Sequence, residues 1–148
     1  MRWHSLMTAM VFGIISVSLA GCGANQSKQA AEETANRLYQ ALSEKDWDKA
    51  VSFYGPQFFQ KTSKQEWRAA LVNLEKKFGA YKSHQIQNWK YRSNTGTGGS
   101  HQVTVITYKV KYAKATTTET ITFLGSGDEE LKIVGHRIES PAFLAPDK

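Results

Sequence analysis

The sequence lacks paired cysteines, and this shortage excludes one common way of stabilising a small protein. Cys22 is the only cysteine among 148 residues, so no disulfide can form within the chain. Hydrophobic residues make up 41% of the chain and charged residues 22%, which are ordinary values for a globular protein. We therefore expect a single domain whose stability comes from a hydrophobic core.

The patterns typical of metal and phosphate sites are also absent. The four histidines lie far apart, and no pair of them has the spacing of metal ligands. The acidic run at residues 128–130 lacks the pattern of a calcium loop, and we interpret it as a turn. The glycines at residues 96–99 lie between predicted strands rather than before a helix. We expect no metal ion and no cofactor.

Residues 1–21 have the layout of a secretory signal peptide. Arg2 and the amino terminus are positive, residues 5–19 are mostly apolar, and Ala20 and Gly21 are small. The apolar stretch is shorter than the roughly 20 residues that a membrane-spanning helix needs. We predict that this segment directs export. An uncleaved signal anchor is one alternative.

The cysteine follows this leader directly. The residues Leu19-Ala20-Gly21-Cys22 resemble the bacterial lipobox, in which an aliphatic residue and two small residues precede the cysteine. The resemblance implies a diacylglyceryl group on the sulfur of Cys22, cleavage before that residue, and a membrane-anchored protein of the cell envelope. Because Gly23 rather than aspartate follows, the sorting rules of Gram-negative bacteria imply the periplasmic face of the outer membrane. Cleavage before Gly21, which would release a soluble protein, is the other alternative.

The rest of the chain divides by composition into three parts. Residues 22–29 are polar and lack periodicity, which predicts the lipidated cysteine followed by a flexible tether. Residues 30–140 carry the periodic patterns of a folded domain. Residues 141–148 contain two prolines and are predicted to form an irregular tail.

Within the domain, three helical patterns precede four strand patterns. Apolar residues recur at helical spacing over residues 31–42 and 47–54. Ser63 and Glu66 predict a capping box that begins a third helix, and Gly79 predicts its end. Alternating patterns predict strands at residues 81–92, 101–112, 116–124 and 131–139. Since the connections are short, we predict an α+β fold in which N-terminal helices pack on a curved antiparallel four-stranded sheet.

Two segments resemble the superfamily named after nuclear transport factor two, which is also described as cystatin-like. They are LYQALSEKDWDKAVSFYGPQF and SKQEWRAALVNLEKKFG, and the resemblance covers residues 30–139. It implies a cone-like domain with a pocket at its mouth. Enzymes of this superfamily place an aspartate, glutamate or histidine inside the cone.

Glu119 and His136 are the candidates for such a catalytic role. Glu119 shares a predicted strand face with Ile121 and Phe123, so its side chain can point inward. A buried carboxylate has a raised pKa and can transfer protons near neutrality. The pair therefore suggests a small cofactor-free enzyme of the isomerase or hydrolase kind. A solvated glutamate at the end of a strand and a surface histidine are the commoner interpretation.

The aromatic residues suggest binding rather than catalysis. Most of them are expected in the core, but Phe58, Phe59 and Trp89 are candidates for contact with an apolar ligand or a partner protein of the envelope. Our leading hypothesis is a lipid-anchored envelope protein that binds without chemistry. The cofactor-free enzyme is the alternative, and a structural spacer with a filled cone is the third possibility.

The net charge of +6 is modest and does not identify a binding partner. The lysines are scattered along the chain and form no dense run, which is typical of a solvated surface. Attraction to anionic lipid headgroups is the alternative interpretation. We expect no nucleic-acid partner.

Overall fold

The computed structural model describes residues 22–97, 99–126 and 130–143. The predicted leader at residues 1–21, residues 127–129 of the predicted acidic turn and residues 144–148 of the predicted tail lie outside the described residues. The described chain folds as three α-helices followed by a curved, open, four-stranded antiparallel sheet. This confirms the α+β prediction.

The elements follow one another in the predicted order. The helices are α1 (Cys22–Ser43), α2 (Trp47–Ser52) and α3 (Lys64–Phe78), and the strands are β1 (Tyr81–Gly96), β2 (Gly99–Tyr112), β3 (Thr116–Ser126) and β4 (Lys132–Glu139). Short 3₁₀ turns occupy Phe58–Gln60 and Pro141–Phe143. None of the helices in the described ranges combines the length and the hydropathy that crossing a bilayer requires.

The ends of α3 form as the sequence predicts. The Glu66 amide donates to Ser63 Oγ at 3.1 Å, and the Ser63 amide donates to Glu66 Oε2 at 2.7 Å, which completes the capping box. Gly79 ends the helix with φ 80°, in the left-handed region. A methyl group on Gly79 would also lie 2.8 Å from the Cβ of Ala113, so this position requires glycine.

The start of α1 differs from the prediction. Residues 23–29, predicted as a flexible tether, form the first turns of the helix. Ser27 is buried there, and its hydroxyl lies 2.7 Å from the hydroxyl of Thr104 on β2. Lys28 pairs with Glu32 one turn later. Contacts to the sheet and within the helix thus order a segment whose polar sequence carries no helical stripe.

One face of the sheet packs against the helices. β2 presents Ile106, Tyr108 and Val110 on this face, and β3 presents Glu119 and Ile121; all five are buried. The predicted alternation in these two strands is therefore confirmed. The core consists of this face together with apolar residues of α1, α2 and α3. We call it the concave face and the opposite side of the sheet the convex face.

β1 contains a bulge that the sequence pattern does not reveal. Ile86 pairs with Tyr108 and Asn88 with Thr107, so Gln87 is an extra residue in the ladder. The bulge inverts the alternation of β1 beyond this point, because one inserted residue exchanges the two faces of a strand. Trp89 consequently lies on the concave side beside α1.

The segment after α2 extends the sheet beside β4. The Gly55 amide donates to the Ile133 carbonyl at 2.8 Å, and the Ile133 amide donates to the Phe53 carbonyl at 3.0 Å. Tyr54 thereby forms a parallel bridge with Ile133. This bridge holds the Tyr54 ring close to the neighbouring residues of β4.

Candidate functional site

Glu119 is a fully buried carboxylate in the middle of the concave face. The hydroxyls of Tyr112 and Thr117 each donate to Oε1 at 2.8 Å. The Tyr39 hydroxyl donates to Oε2 at 2.9 Å, and His136 Nε2 lies 3.0 Å from the same oxygen. A carboxylate offers about four acceptor sites. Each of these sites in Glu119 is therefore occupied by a side chain of the protein.

These contacts keep Glu119 ionised. Burial raises its pKa, but the hydrogen bond to His136, the charge interaction with that residue, and the hydrogen bonds from Tyr112 and Thr117 together hold the pKa below its ordinary value. The expectation of a raised pKa is thus wrong for this carboxylate. Burial raises the pKa of a carboxylate overall only where hydrogen-bond donors are missing. In Glu119 the donors have the larger effect on the pKa.

His136 links this carboxylate to Tyr54. Its side chain is only 1% exposed, and Nδ1 lies 2.7 Å from the Tyr54 hydroxyl. A ring that carries a proton on Nε2 donates to Glu119, and its Nδ1 is within hydrogen-bond distance of the Tyr54 hydroxyl. The pKa of Tyr54 is raised, chiefly by burial and also by the charge of Glu119, although the Trp67 side chain opposes the shift. Tyr54 therefore remains protonated and available as the donor.

The structure brings the two predicted catalytic candidates into direct contact. However, both ring nitrogens of His136 and both oxygens of Glu119 already have partners inside the protein. A general base must accept a proton from its substrate. Either residue could do so only after a hydrogen bond in this cluster breaks. The resting geometry is that of a satisfied buried network, which rigidifies the centre of the fold.

An apolar cavity of about 390 Å³ lies next to this network, between α3 and β4. Its walls are mostly aliphatic and aromatic, and His136 in the lining links the cavity to the buried cluster. The lining residues are Trp67, Ala70, Leu71, Asn73, Leu74, Lys77, His136, Ile138 and Phe143. The cavity thus borders the network without exposing its carboxylate.

The aromatic binding candidates lie elsewhere. Phe58 and Phe59 form the 3₁₀ turn after α2 and are half-buried. The Phe58 ring packs against Tyr54 and Trp67, with ring centres 4.7 and 4.9 Å apart. Neither phenylalanine lines the cavity. They support the wall behind Trp67, so their contribution to a binding site is indirect.

Trp89 packs beside the first turns of α1. Its ring is half-buried, and Lys28 Nζ lies 5.7 Å from the ring centre. Trp89 also packs against the core cluster. The structure therefore assigns it to the contact between α1 and β1 rather than to the cavity.

The hydroxyl donors around Glu119 are not apparent from the sequence. Tyr39 and Tyr112 lie at buried positions of apolar patterns, where residues usually belong to the hydrophobic core. A tyrosine at such a position usually has a hydrogen-bond partner, and this preference is the signal that could have linked them to a buried acid. Within the described residues, no group of three or more His, Cys, Asp or Glu side chains is arranged to hold a metal ion.

Comparisons with known proteins give a family and a fold. The profile of the family described as "Protein of unknown function (DUF3887)" matches residues 35–135. The chain is also similar to the structure of Bdellovibrio bacteriovorus Bd1075, with a TM-score of 0.54 and 18% sequence identity over 82% of this chain and 43% of that chain. At this identity the likeness shows the fold alone, and this chain spans less than half the length of that protein. No curated protein sequence matches the chain.

Proposed function

The chain belongs to the DUF3887 family of proteins of unknown function, and we propose that it is a lipid-anchored protein of the cell envelope that holds a small apolar ligand without converting it. The observation that carries this proposal is the apolar cavity between α3 and β4, which borders a carboxylate with no free acceptor site. We also propose that the domain belongs to the superfamily of nuclear transport factor two. The order of helices and strands and the curvature of the sheet support this placement.

The cavity has the dimensions and the walls of a small-molecule site. Its volume of about 390 Å³ lies within the range typical of ligand pockets. Trp67, Ala70 and Leu74 recur at helical spacing on α3, and this apolar stripe lines the cavity. Burial of that stripe by a ligand is favourable, since it removes apolar surface from water. A side chain of a partner protein is the other occupant that we consider, but the volume and the apolar lining of the cavity favour a small molecule.

A neutral fluorescent probe tests the cavity. N-phenyl-1-naphthylamine is expected to bind the protein with enhanced fluorescence. The Ala70→Phe variant should bind it about tenfold more weakly, because the new ring occupies the cavity. Ala69→Phe is the matched control, since Ala69 is an exposed neighbour on α3 outside the cavity lining. Equal binding by both variants and the wild type would place the probe elsewhere and refute this assignment.

The same complex tests the enzymatic alternative. That alternative is supported by the contact of 3.0 Å between His136 and Glu119 at the edge of the cavity. Ligands that co-purify with the protein are expected to be recovered unchanged after incubation, as judged by mass spectrometry. Conversion that disappears in His136→Gln while the ligand still binds would instead identify a proton-transfer enzyme.

The proposed anchor is a diacylglyceryl group in thioether linkage to Cys22. The signal-peptide layout and the residues Leu19-Ala20-Gly21-Cys22 support it. Two or three acyl chains hold a protein at a bilayer far more firmly than one chain does. The residue after the cysteine, Gly23, supports the periplasmic face of the outer membrane if the envelope is Gram-negative.

Cys22→Ser is expected to move the protein from the membrane fraction to the soluble fraction of exporting cells. The wild-type protein should have an intact mass that corresponds to acylation and a start at Cys22. Ser43→Ala, at the exposed end of α1, is the control and should fractionate like the wild type. A wild-type mass without acyl chains, with a start at Gly21, would contradict the anchor.

A further inference from the structure

One long stretch of the chain carries no negative charge. No aspartate or glutamate occurs between Glu75 and Glu119. The same stretch contains Lys76, Lys77, Lys82, Lys90, Arg92, Lys109, Lys111 and Lys114. In the fold this stretch comprises the end of α3 and the whole of strands β1 and β2. Every charged residue of the end of α3, of β1 and of β2 is therefore a cation, apart from the histidines.

Four of these cations lie on the convex face. Lys90 is opposite Val105 and Arg92 is opposite Val103, so the bulge at Gln87 places both on the same side as Lys109 and Lys111 of β2. We call Lys90, Arg92, Lys109 and Lys111 the basic ribbon. All four are exposed. At about 3.4 Å per residue, the ribbon extends roughly 27 Å along the two strands.

The charges of the basic ribbon are not neutralised within the described part of the chain. None of its four side chains forms an ion pair there. The described acid on the convex face, Glu139, belongs to β4 at the opposite edge and pairs with Arg137. Several cations of the helical layer, in contrast, have acidic partners, such as Lys45, which pairs with Glu75 at 3.0 Å.

The start of α1 lies at the same end of β1 as Lys90 and Arg92, against the concave face of the sheet. A methyl group on Gly23 would contact the Tyr91 hydroxyl at 3.8 Å, and Tyr91 lies between Lys90 and Arg92 on β1. The contact between Ser27 and Thr104 fixes the next turn of α1 on the paired strand. The first turns of α1, which follow Cys22, therefore lie at the end of β1 that carries Lys90 and Arg92.

We propose that the basic ribbon docks the domain on anionic phospholipid headgroups. The proposal rests on the proposed anchor for its location, because a lipid on Cys22 holds the end of β1 that carries Lys90 and Arg92 near the membrane. Anionic headgroups attract lysine and arginine within a Debye length, about 10 Å at moderate salt. The ribbon supplies the cations for a row of headgroups, and a basic patch beside an acyl anchor strengthens membrane attachment. The ribbon thus sets the orientation of the anchored domain.

Vesicle co-sedimentation of residues 22–148 carrying Cys22→Ser isolates this contribution from the acyl chains. This part contains every element of the described fold, and its core residues lie between Ala31 and Ile133. We expect binding to vesicles of equal phosphatidylglycerol and phosphatidylcholine, and little binding to phosphatidylcholine alone. Binding should weaken strongly when salt is raised from about 50 mM to about 500 mM.

Replacing all four cations of the basic ribbon with glutamine is expected to lower the vesicle partition coefficient by about tenfold or more. The matched control replaces Lys45, Lys49, Lys61 and Lys64 of the helical layer with glutamine, so that both variants lose the same net charge. The control should retain most of the binding. A smaller variant, Lys90→Gln with Arg92→Gln, should lose an intermediate amount. Far-UV circular dichroism verifies that each variant is folded.

Three results would overturn the proposal. Wild-type protein that binds the two kinds of vesicle equally would show no preference for anionic lipid. Equal losses in the ribbon variant and the control variant would show that only the net charge matters. Binding of soluble polyglutamate but not of vesicles would identify a soluble polyanion as the ligand. Failure of the anchor is a separate result, since the acyl mass on Cys22 is measured on the exported wild type and these assays contain no acyl chain.

Discussion

Glu119→Ala is expected to lower the free energy of unfolding by about 3–5 kcal/mol. The substitution removes the acceptor of hydrogen bonds from Tyr39, Tyr112 and Thr117, and of the contact with His136. These groups are buried, so water cannot replace the lost acceptor without entering the core. A cavity in place of the carboxylate adds to the cost. Urea unfolding followed by tryptophan fluorescence measures the change.

Glu139→Ala is the control for this prediction. Glu139 lies on the neighbouring strand, its side chain is 52% exposed, and its partner is the exposed Arg137. Such surface pairs contribute little, so the expected change stays within about 0.5 kcal/mol. Equal changes for the two variants would contradict the view that the buried network holds the sheet to α1.

The pH dependence gives a second measure of the same network. The pKa of Glu119 is lower in the folded protein than its ordinary value. Its contribution is therefore fully present above the unfolded pKa of about 4.3, and it is lost as the pH falls through the folded pKa. The difference in stability between the wild type and Glu119→Ala should narrow in acid. A constant difference at all pH values would show that the carboxylate is not the stabilising form.

Local patterns were sufficient to predict most elements of the fold. The capping box of Ser63 and Glu66 involves residues three positions apart, so the sequence displays it directly. The alternation in β2 and β3 is uninterrupted, and the buried faces follow from it. The sequence therefore predicts the elements that are determined by residues close together in the chain.

Features that depend on distant contacts were not recovered. Ser27 is ordered by its contact with Thr104, which is far away in the sequence. The sequence alone therefore predicts a tether for residues 23–29. The bulge at Gln87 depends on the register of β1 against β2, and no residue type in β1 indicates it. This bulge decides the side of the sheet on which Lys90 and Arg92 lie. The four residues of the basic ribbon are consequently scattered in the sequence but form one row in the fold.

The candidate site shows the same division between local and distant causes. The alternation of side chains along β3 is enough to predict that Glu119 points inward. The sequence also suggests His136 as its partner, and the two residues are in contact. The chemistry of the carboxylate depends on donors from α1 and β2, and these meet only in the folded chain. Together these donors lower the pKa of Glu119, whereas burial alone would raise it. A buried acid that is predicted only from strand alternation can therefore have a structural role as readily as a catalytic one.

Phe78→Ala is expected to be comparably severe and to lower the free energy of unfolding by about 3–5 kcal/mol. Phe78 is fully buried at the end of α3. Its ring centre lies 5.9 Å from that of Tyr112 and 4.9 Å from that of Phe143, so it joins α3 to the sheet and to the last 3₁₀ turn. Because α3 forms one wall of the cavity, the variant should also bind N-phenyl-1-naphthylamine more weakly. Urea unfolding and probe titration measure the two effects.

Phe143→Ala separates the two consequences. Phe143 lines the same cavity, but it is 46% exposed and its loss leaves no enclosed hole. We expect a stability change of about 1 kcal/mol or less, together with weaker binding of the probe. If Phe78→Ala were no more destabilising than Phe143→Ala, α3 would be held mainly by α2 rather than by this aromatic contact. The cavity would then lie beside a loosely attached helix, and its volume would depend on the position of α3 instead of on the lining residues.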